Sequence, residues 1–390
     1  MRKKFGKLAV CMLALMLGCG CGKNKNVSEE KNTEETVKTE ADDTQEAETQ
    51  DTEVEVSEEK KSEELEIDLP NEEELVADYT SMKGLILEEG SRIAFVVKNT
   101  ETGYWKAVKK GIDQAINDLN TTLGYEGDAK IQYTFEGPKE ETGVDQQVNI
   151  LDAVVSEHPD VLCLAAIDMD SCVAQLEYAE ENGIPVVVLD SGINHDELIY
   201  SVCATDNYAA GQLAAQKMSE LIGGEGEIAV MSHHQLGETS KNRVDGFVDE
   251  ITENHPDITI VDISYEPVND EEPTIQEKIT TVLETYPNLK GYFGTNEVMS
   301  VGILDTLKAQ KYENLTVVGF DLGATQAEAI RSGLEAGSVC QNPYGMGYAT
   351  TVAAVRAILD MENDSFIDSG YQWIDQTTID LEENAKYLYE

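Results

Sequence analysis

The fold is decided by residues 92–112, which read RIAFVVKNTETGYWKAVKKGI. The run from Ile93 to Val97 is apolar and rich in β-branched residues, which predicts a buried strand. After a polar loop, apolar residues recur at three- and four-residue spacing from about Trp105 to Asn120, which predicts an amphipathic helix. A strand followed directly by a helix is the first half of a βαβ unit, from which parallel sheets are built.

The same alternation continues through most of the chain. Short apolar runs predict further strands at residues 131–135, 161–166, 185–189, 199–202, 227–231, 259–263, 291–293, 315–320 and 337–340. Roughly ten strands suit two sheets of about five or six, and one hydrophobic core rarely organises about 300 residues. We therefore predict an α/β fold with two doubly wound parallel-sheet lobes.

The beginning of the chain carries the pattern of an export signal. Basic residues within positions 2–7 precede an apolar run that ends at Leu17, and the pair Gly18-Cys19 follows. This pair resembles a bacterial lipobox, in which the cysteine carries acyl chains that hold the protein on the membrane surface. We predict a lipoprotein signal peptide over residues 1–18 and acylation of Cys19. The alternatives are acylation of Cys21 and an ordinary signal peptide with incidental cysteines.

The next segment, residues 19–88, is rich in Glu, Thr, Asp, Lys and Ser and has hardly any aromatic residue. Such a composition buries too little apolar surface to fold, and its like charges extend the chain. We therefore predict an acidic, disordered tether over residues 19–88 that the folded part does not need.

Composition excludes several kinds of partner. The formal net charge is −48, from 76 acidic and 28 basic residues, whereas nucleic acid is bound by clustered Lys and Arg. His233 and His234 are adjacent, so on a strand they would point to opposite sides, and we predict no metal site and no cofactor. The cysteines of the body show no disulfide or zinc pattern: Cys163, Cys172, Cys203 and Cys340.

Polar residues follow several predicted strands. They are Lys98-Asn-Thr-Glu-Thr-Gly-Tyr-Trp105 after the first strand, Asp190-Ser-Gly after residues 185–189, and Thr295-Asn-Glu297 and Asp321 after later strands. Ligands bind beyond the carboxyl ends of parallel strands, so we expect these side chains to line one site. Planar Asp and Asn groups can engage neighbouring hydroxyls while an aromatic ring covers a C–H face, which suits a sugar.

Several of these motifs together resemble the type I periplasmic sugar-binding family. They are Ile93–Gly111, Ile184-Pro-Val-Val-Val-Leu-Asp190, Ala204-Thr-Asp-Asn207, Asn296-Glu297, Val317-Val-Gly-Phe-Asp321 and Gln341. The resemblance covers residues 92–359. It implies two lobes joined by a three-segment hinge, the first from residues 89–204 and 342–369 and the second from residues 205–341 and 370–390.

The resemblance also implies ligand contacts from both lobes. Tyr104 and Trp105 take the place of the family's aromatic pair and sandwich the sugar ring. Asp190 supplies a carboxylate from the first lobe, and Arg243 supplies a guanidinium fork from the second. The competing interpretations are two core aromatics, a turn-capping Asp and a surface ion-pairing Arg. The remaining polar contacts match Asn296, Asp321 and Gln341, the last of which also lies at a crossing between lobes.

The resemblance implies a function without catalysis. It is that of an extracytoplasmic, monomeric solute-binding protein, lipid-anchored to the outer face of the cytoplasmic membrane, which delivers a pentose, hexose or related polyol to an ABC permease. Gly103 and Ser191 replace a proline and an arginine of ribose binders, which puts ribose itself in doubt. No nucleophile elbow or phosphate-binding loop is visible, so we do not expect an enzyme. The alternative is a sensor subunit that presents its ligand to a receptor kinase, or a quorum-signal binder, on the same fold.

Overall fold

The computed structural model describes residues 77–390, apart from Asp270 and Glu313. The predicted signal peptide, Cys19 and residues 19–76 of the predicted tether lie outside the described residues. Within the described part of the chain, no helix is both long enough and apolar enough to cross a membrane.

Alternating strands and helices open the first lobe. Their bounds are β1 (Arg92–Val96), α1 (Gly103–Leu123), β2 (Gln132–Glu136), α2 (Val144–Ser156), β3 (Val161–Leu164), α3 (Val173–Glu181), β4 (Val186–Leu189) and β5 (Ser201–Ala204). All residues of β3 and β4 are buried, as expected for strands that helices cover on both faces.

The second lobe repeats this alternation. Its elements are α4 (Asn207–Ile222), β6 (Gly226–Ser232), α5 (Glu238–Asn254), β7 (Ile258–Tyr265), α6 (Ile275–Thr285), β8 (Leu289–Gly294), α7 (Glu297–Gln310), β9 (Thr316–Phe320), α8 (Ala324–Ser332) and β10 (Gly337–Gln341). The chain then returns to the first lobe with α9 (Pro343–Ile358) and β11 (Phe366–Asp368), and crosses again to β12 (Tyr371–Asp375).

The two sheets have the same connectivity. The first is six-stranded in the order β11-β5-β4-β3-β1-β2, and the second is six-stranded in the order β12-β10-β9-β8-β6-β7. Their strands run parallel except for β12, which is antiparallel to β10. The prediction of two doubly wound α/β lobes is confirmed, and the carboxyl ends of the central strands of each sheet carry the loops that face the other lobe.

The crossings between the lobes are tied to one another by side chains. Thr205 follows β5, Gln341 ends β10, and Ser369 follows β11. The Thr205 hydroxyl donates to Gln341 Oε1 at 2.9 Å and lies 3.2 Å from the Ser369 hydroxyl. Each of the three crossings therefore contributes one side chain to a single, largely buried cluster at the hinge.

Two parts of the predicted domain organisation need correction. Residues 77–88 were predicted to be disordered tether, but Tyr79, Met82, Leu85 and Leu87 are buried in the core of the first lobe. The Tyr79 hydroxyl also accepts a hydrogen bond from the Asp364 amide at 2.7 Å. This segment forms no helix or strand, and a few side chains that dock on an existing core need no periodicity of their own, so no pattern marked it as folded.

The second correction concerns the end of the chain, which the sequence assigned entirely to the second lobe. Residues 382–387 form a 3-10 turn that packs on the second lobe, but Tyr389 is buried with the core residues of the first lobe. The final residues therefore contact both lobes.

Candidate functional site

A cavity lies between the lobes where the carboxyl ends of the two sheets face each other. It contains about 410 Å³ that protein atoms do not fill, including its opening to solvent. All of the site residues predicted from the sequence line it: Tyr104, Trp105, Asp190, Arg243, Asn296, Asp321 and Gln341.

Asp190 is the centre of the first-lobe wall. It follows β4 with a left-handed backbone (φ 67°), and its amide donates to the Cys203 carbonyl at 3.0 Å. Its Oδ1 accepts from the Tyr104 hydroxyl at 2.7 Å, and its Oδ2 lies 2.8 Å from Lys98 Nζ. A buried carboxylate is thus held by one phenol and one ammonium, and burial together with Asp190 raises the pKa of Tyr104 well above its usual value.

Trp105 extends this wall. Its side chain is fully buried, and its Nε1 donates to Glu141 Oε1 at 2.8 Å, so the indole orientation is fixed. The rings of Tyr104 and Trp105 are 5.2 Å apart and meet at 88°. Because perpendicular rings cannot both lie flat on one sugar ring, the predicted sandwich by this pair is wrong, and at most one of the two can stack.

Arg243 occupies the facing wall and is held in place by neutral partners. Its Nε donates to Asn207 Oδ1 at 2.9 Å, its Nη1 donates to the Thr295 carbonyl at 2.8 Å, and the guanidinium lies 3.7 Å from the ring centre of Phe320. These bonds leave Nη2 without a hydrogen bond to any described residue. A buried, oriented guanidinium with one free edge can donate to a ligand.

Asp321 is the counterpart of Asp190 in the second sheet. It follows β9 with a left-handed backbone (φ 74°), and its amide donates to the Val339 carbonyl at 2.9 Å. Its carboxylate accepts from Gln341 Nε2 at 2.7 Å and from the Glu297 amide at 3.1 Å. Burial raises the pKa of Asp321, and the positive charge of Arg243 partly opposes that rise.

Asn296 and Gln341 each serve the fold as well as lining the cavity. Asn296 Oδ1 caps α7 by accepting from the Met299 amide at 2.9 Å. Gln341 joins Asp321 to Thr205, so it connects the cavity to the hinge. The sequence predicted the polar contact of both residues but did not predict the cap.

The wall contains further polar residues that we did not predict as ligand contacts. Lys98, His233 and Glu297 follow strands, and by the rule that located Asp190 they were expected at the edge of the site, but no ligand contact was assigned to them. Glu141 follows the weakly apolar β2, and its loop offered no motif. Thr239 lies on α5 one turn before Arg243, so helical spacing was its only signal. All five line the cavity.

The His233 ring is held by hydroxyl groups of the second lobe. The His233 ring lies between the hydroxyls of Thr295 and Thr239, at 2.9 and 3.0 Å. Burial and the charge of Arg243 place its pKa well below the usual value, so the ring is neutral. Among the described residues no group of His, Cys, Asp and Glu has the geometry of a metal site.

The lobes also touch directly at the rim of the cavity. The Gly192 amide of the first lobe donates to Glu238 Oε2 of the second, and the Met169 amide donates to the Leu236 carbonyl at 3.2 Å. Lys98 Nζ reaches across to the Thr239 hydroxyl at 3.5 Å. The lobes are therefore closed on the cavity.

Comparison with known proteins agrees with this geometry. Residues 93–361 match the family described as periplasmic binding protein domain. A D-apiose import binding protein from Actinobacillus succinogenes is 25% identical over 247 residues, which cover 63% of this chain and 75% of the relative. A D-allose-binding periplasmic protein from Escherichia coli is 25% identical over 262 residues, which cover 65% of this chain and 80% of the relative.

Solved structures show the same relationship. The crystal structure of an ABC transporter solute binding protein from Agrobacterium vitis with bound D-fucose is 33% identical and superposes with a TM-score of 0.70. The match covers 77% of this chain and 100% of that one. A second solute binding protein from the same organism, bound with α-D-tagatopyranose, is 25% identical with a TM-score of 0.70. This chain therefore belongs to the periplasmic binding protein family, in its type I sugar-binding class.

Proposed function

We propose that this protein is the extracytoplasmic solute-binding component of an ABC transporter and that it binds one small sugar in the cavity between its lobes. The observation that carries this proposal is the pairing of Asp190 and Asp321. The two carboxylates follow equivalent strands of the two sheets and line one cavity from opposite sides. Their oxygens can each accept from sugar hydroxyls.

The relatives support a sugar as the ligand. Their names and bound molecules are D-apiose, D-allose, D-fucose and α-D-tagatopyranose, which are all neutral and polyhydroxylated. They are named as binding proteins, and binding without conversion is the activity that we assign to this chain. Loss of hydrogen bonds with the wrong sugar would provide discrimination, since buried polar groups are costly when left unpaired.

Each predicted residue has a proposed part in binding. Asp190 and Asp321 accept from hydroxyls, Arg243 donates from its free Nη2, and the Trp105 ring covers an apolar face of the sugar. Asn296 and Gln341 add amide donors, and Tyr104 acts chiefly by orienting Asp190. A sugar that contacts both walls stabilises the closed lobes, because only the closed form offers all of these partners together.

The proposal for the location of the protein is supported by the sequence alone. We propose that residues 1–18 are removed, that Cys19 is acylated and that the monomeric protein is held on the outer face of the cytoplasmic membrane, where a permease can receive the sugar. Mass spectrometry of the mature N-terminus tests this proposal. An unmodified residue there, or processing before Cys21, would contradict it.

A thermal-shift screen over pentoses, hexoses and polyols tests the binding function. A ligand present at 100 times its Kd adds about 2.7 kcal/mol to the free energy of unfolding, which a melting curve detects easily. We expect one sugar or a few related ones to raise the Tm. The rise should vanish in Asp321→Asn. It should persist in the control variant Glu253→Gln, because Glu253 is an exposed residue of α5. A protein that no sugar stabilises would refute the proposed function.

A further inference from the structure

The last residues of the sequence run from the second lobe to the wall of the first. Asn384 is buried and donates to the Thr378 carbonyl at 2.8 Å, and Tyr387 packs in an apolar cluster of the second lobe. The Tyr389 amide then donates to the Leu322 carbonyl at 3.3 Å, directly after Asp321. We call residues 376–390 the tail. Its end is anchored beside the second-lobe carboxylate of the cavity.

Tyr389 carries the contact with the first lobe. The residue is 6% exposed, and its ring centre lies 6.0 Å from that of Tyr104, with the two ring planes at 77° to each other. This is the edge-to-face arrangement that aromatic pairs favour. Tyr104 in turn donates to Asp190 and lies edge-on to Trp105. The tail therefore supports, from behind, the ring that orients the first-lobe carboxylate.

The absence of a side chain at Gly103 leaves room for the end of the tail. A Cβ at this position would lie 2.7 Å from the Glu390 carbonyl oxygen and 2.9 Å from Tyr389 Cδ2, so the tail occupies the space that a side chain would need. The resembling family commonly has proline here, and proline also carries a Cβ. The glycine and the tail are thus complementary features of this chain.

The Tyr389 hydroxyl lies near the carboxylates of the second lobe. It is buried and has no hydrogen-bond partner among the described residues. Burial and the nearby Asp321 and Glu297 hold its pKa well above the usual value, so it stays protonated and can donate. Glu297 lines the cavity. A buried donor of this kind beside a carboxylate of the cavity wall is positioned to restrain it.

We propose that Tyr389 is a positioning residue of the ligand cavity. Its ring fixes Tyr104, and through it Asp190, while its hydroxyl faces Glu297 on the other lobe. This inference rests on the proposed function, since it assigns Tyr389 a part in the same cavity. The tail is then a fourth tie between the lobes, in addition to the three hinge crossings.

The first test needs no ligand. Trp105 and Trp373 are the two tryptophans of the chain, so Trp373→Phe leaves Trp105, which lies beside Tyr104, as the only tryptophan whose emission is followed. In that background we expect Tyr389→Ala to shift the Trp105 emission to longer wavelength and Tyr389→Phe, which keeps the ring, to leave it unchanged. An unchanged emission in Tyr389→Ala would overturn the proposal.

Gly103→Ala provides a coupled test of the docked tail. In the full chain the added methyl group should displace the tail and shift the Trp105 emission as Tyr389→Ala does. In a chain that ends at Tyr387 the same substitution should add no further shift, because the space is already free. An equal effect of Gly103→Ala with and without residues 388–390 would show that the tail does not dock there.

The second test uses the sugar found by the thermal-shift screen. Tyr389→Ala should weaken its binding about tenfold, and Tyr389→Phe about threefold, measured by calorimetry. Tyr292→Phe is the matched control, because Tyr292 also has a buried hydroxyl without a partner among the described residues but lies in a different core cluster. It should leave the affinity unchanged.

The outcomes separate the two proposals. If Tyr389→Ala lowers the Tm of the free protein but leaves the affinity unchanged, the tail is structural and Tyr389 has no positioning part. If no sugar binds even the unmodified protein, the proposed function fails, whereas the emission experiments still decide whether Tyr389 holds Tyr104.

Discussion

Replacing Asp190 with Asn should separate the two functions of this carboxylate, which are to pair with Lys98 in the free protein and to bind the sugar. Asn tolerates the left-handed backbone at this position, so the substitution changes the side chain without straining the chain. The carboxylate accepts a hydrogen bond from Tyr104 and forms an ion pair with Lys98, whereas an amide keeps one oxygen and has an NH2 group in place of the other, so only one of the two interactions can persist. The Lys98 side chain is 10% exposed, so its ammonium would be left buried beside a neutral group.

The size of the effect follows from that ammonium. Removing one partner of a buried pair costs about 3 to 5 kcal/mol, and the opening of the cavity to solvent favours the low end, about 3 kcal/mol. For a protein of this size that loss lowers the Tm of the free protein by roughly 4 to 5 °C. The lost charge-assisted bond to the sugar, worth about 1.5 to 3 kcal/mol, weakens binding at least tenfold.

Two variants serve as controls in melting and calorimetry. Asp321→Asn has the same backbone and an equivalent position, but its carboxylate bonds to Gln341 and the Glu297 amide and not directly to a cation. It should lose binding with a smaller fall in Tm, about 2 °C from one weakened bond. Lys98→Met in the Asp190→Asn protein removes the stranded charge and should restore part of the Tm but no binding. If the double variant melts no higher than Asp190→Asn, the buried charge is not the cause.

Three further predictions follow from the same structure. Trp105→Leu should weaken sugar binding about thirtyfold by calorimetry, while an affinity within threefold of the unmodified protein would make Trp105 a core residue only. Deleting residues 77–88 in addition to the preceding segment should lower the Tm of the free protein, whereas a chain that starts at residue 77 should melt unchanged; equal melting would mean that the segment adds nothing to the core. Burial raises the pKa of Glu297 to about 7 in the closed form, whereas in the open form the carboxyl is exposed to water and releases its proton at lower pH. Closure therefore takes up a proton near pH 7, so sugar affinity should be higher at pH 6 than at pH 8, by up to about tenfold. Glu297→Gln should flatten that profile, and a profile that keeps its full slope in this variant would assign the proton to another group.

The parts of the fold that the sequence predicted are those in which local pattern and tertiary role coincide. Strands such as β3 and β4 are apolar throughout because helices cover both faces, so they are recognisable without neighbours. Asp190 and Asp321 could be located because a polar residue directly after such a strand must lie at the carboxyl edge of the sheet, where the cavity is.

The missed features depend on contacts between distant segments. Glu141 lines the cavity because the Trp105 indole holds it, and nothing in its own loop indicates that. Tyr389 reaches Tyr104 only after the chain has crossed between the lobes three times. The perpendicular packing of Tyr104 on Trp105 was equally hidden, since adjacent aromatic residues specify no angle between their rings.

Asp321 shows how ligand binding could be communicated to the hinge. Its carboxylate accepts from Gln341 Nε2, and Gln341 Oε1 accepts from the Thr205 hydroxyl, which touches Ser369. A sugar hydroxyl that donates to Asp321 would therefore act two hydrogen bonds away from the three crossings about which the lobes turn. Because the same amide must satisfy both Asp321 and Thr205, rotation of the lobes and the orientation of Asp321 are not independent. We infer that occupation of the cavity and the angle of the hinge are coupled through the side chain of Gln341.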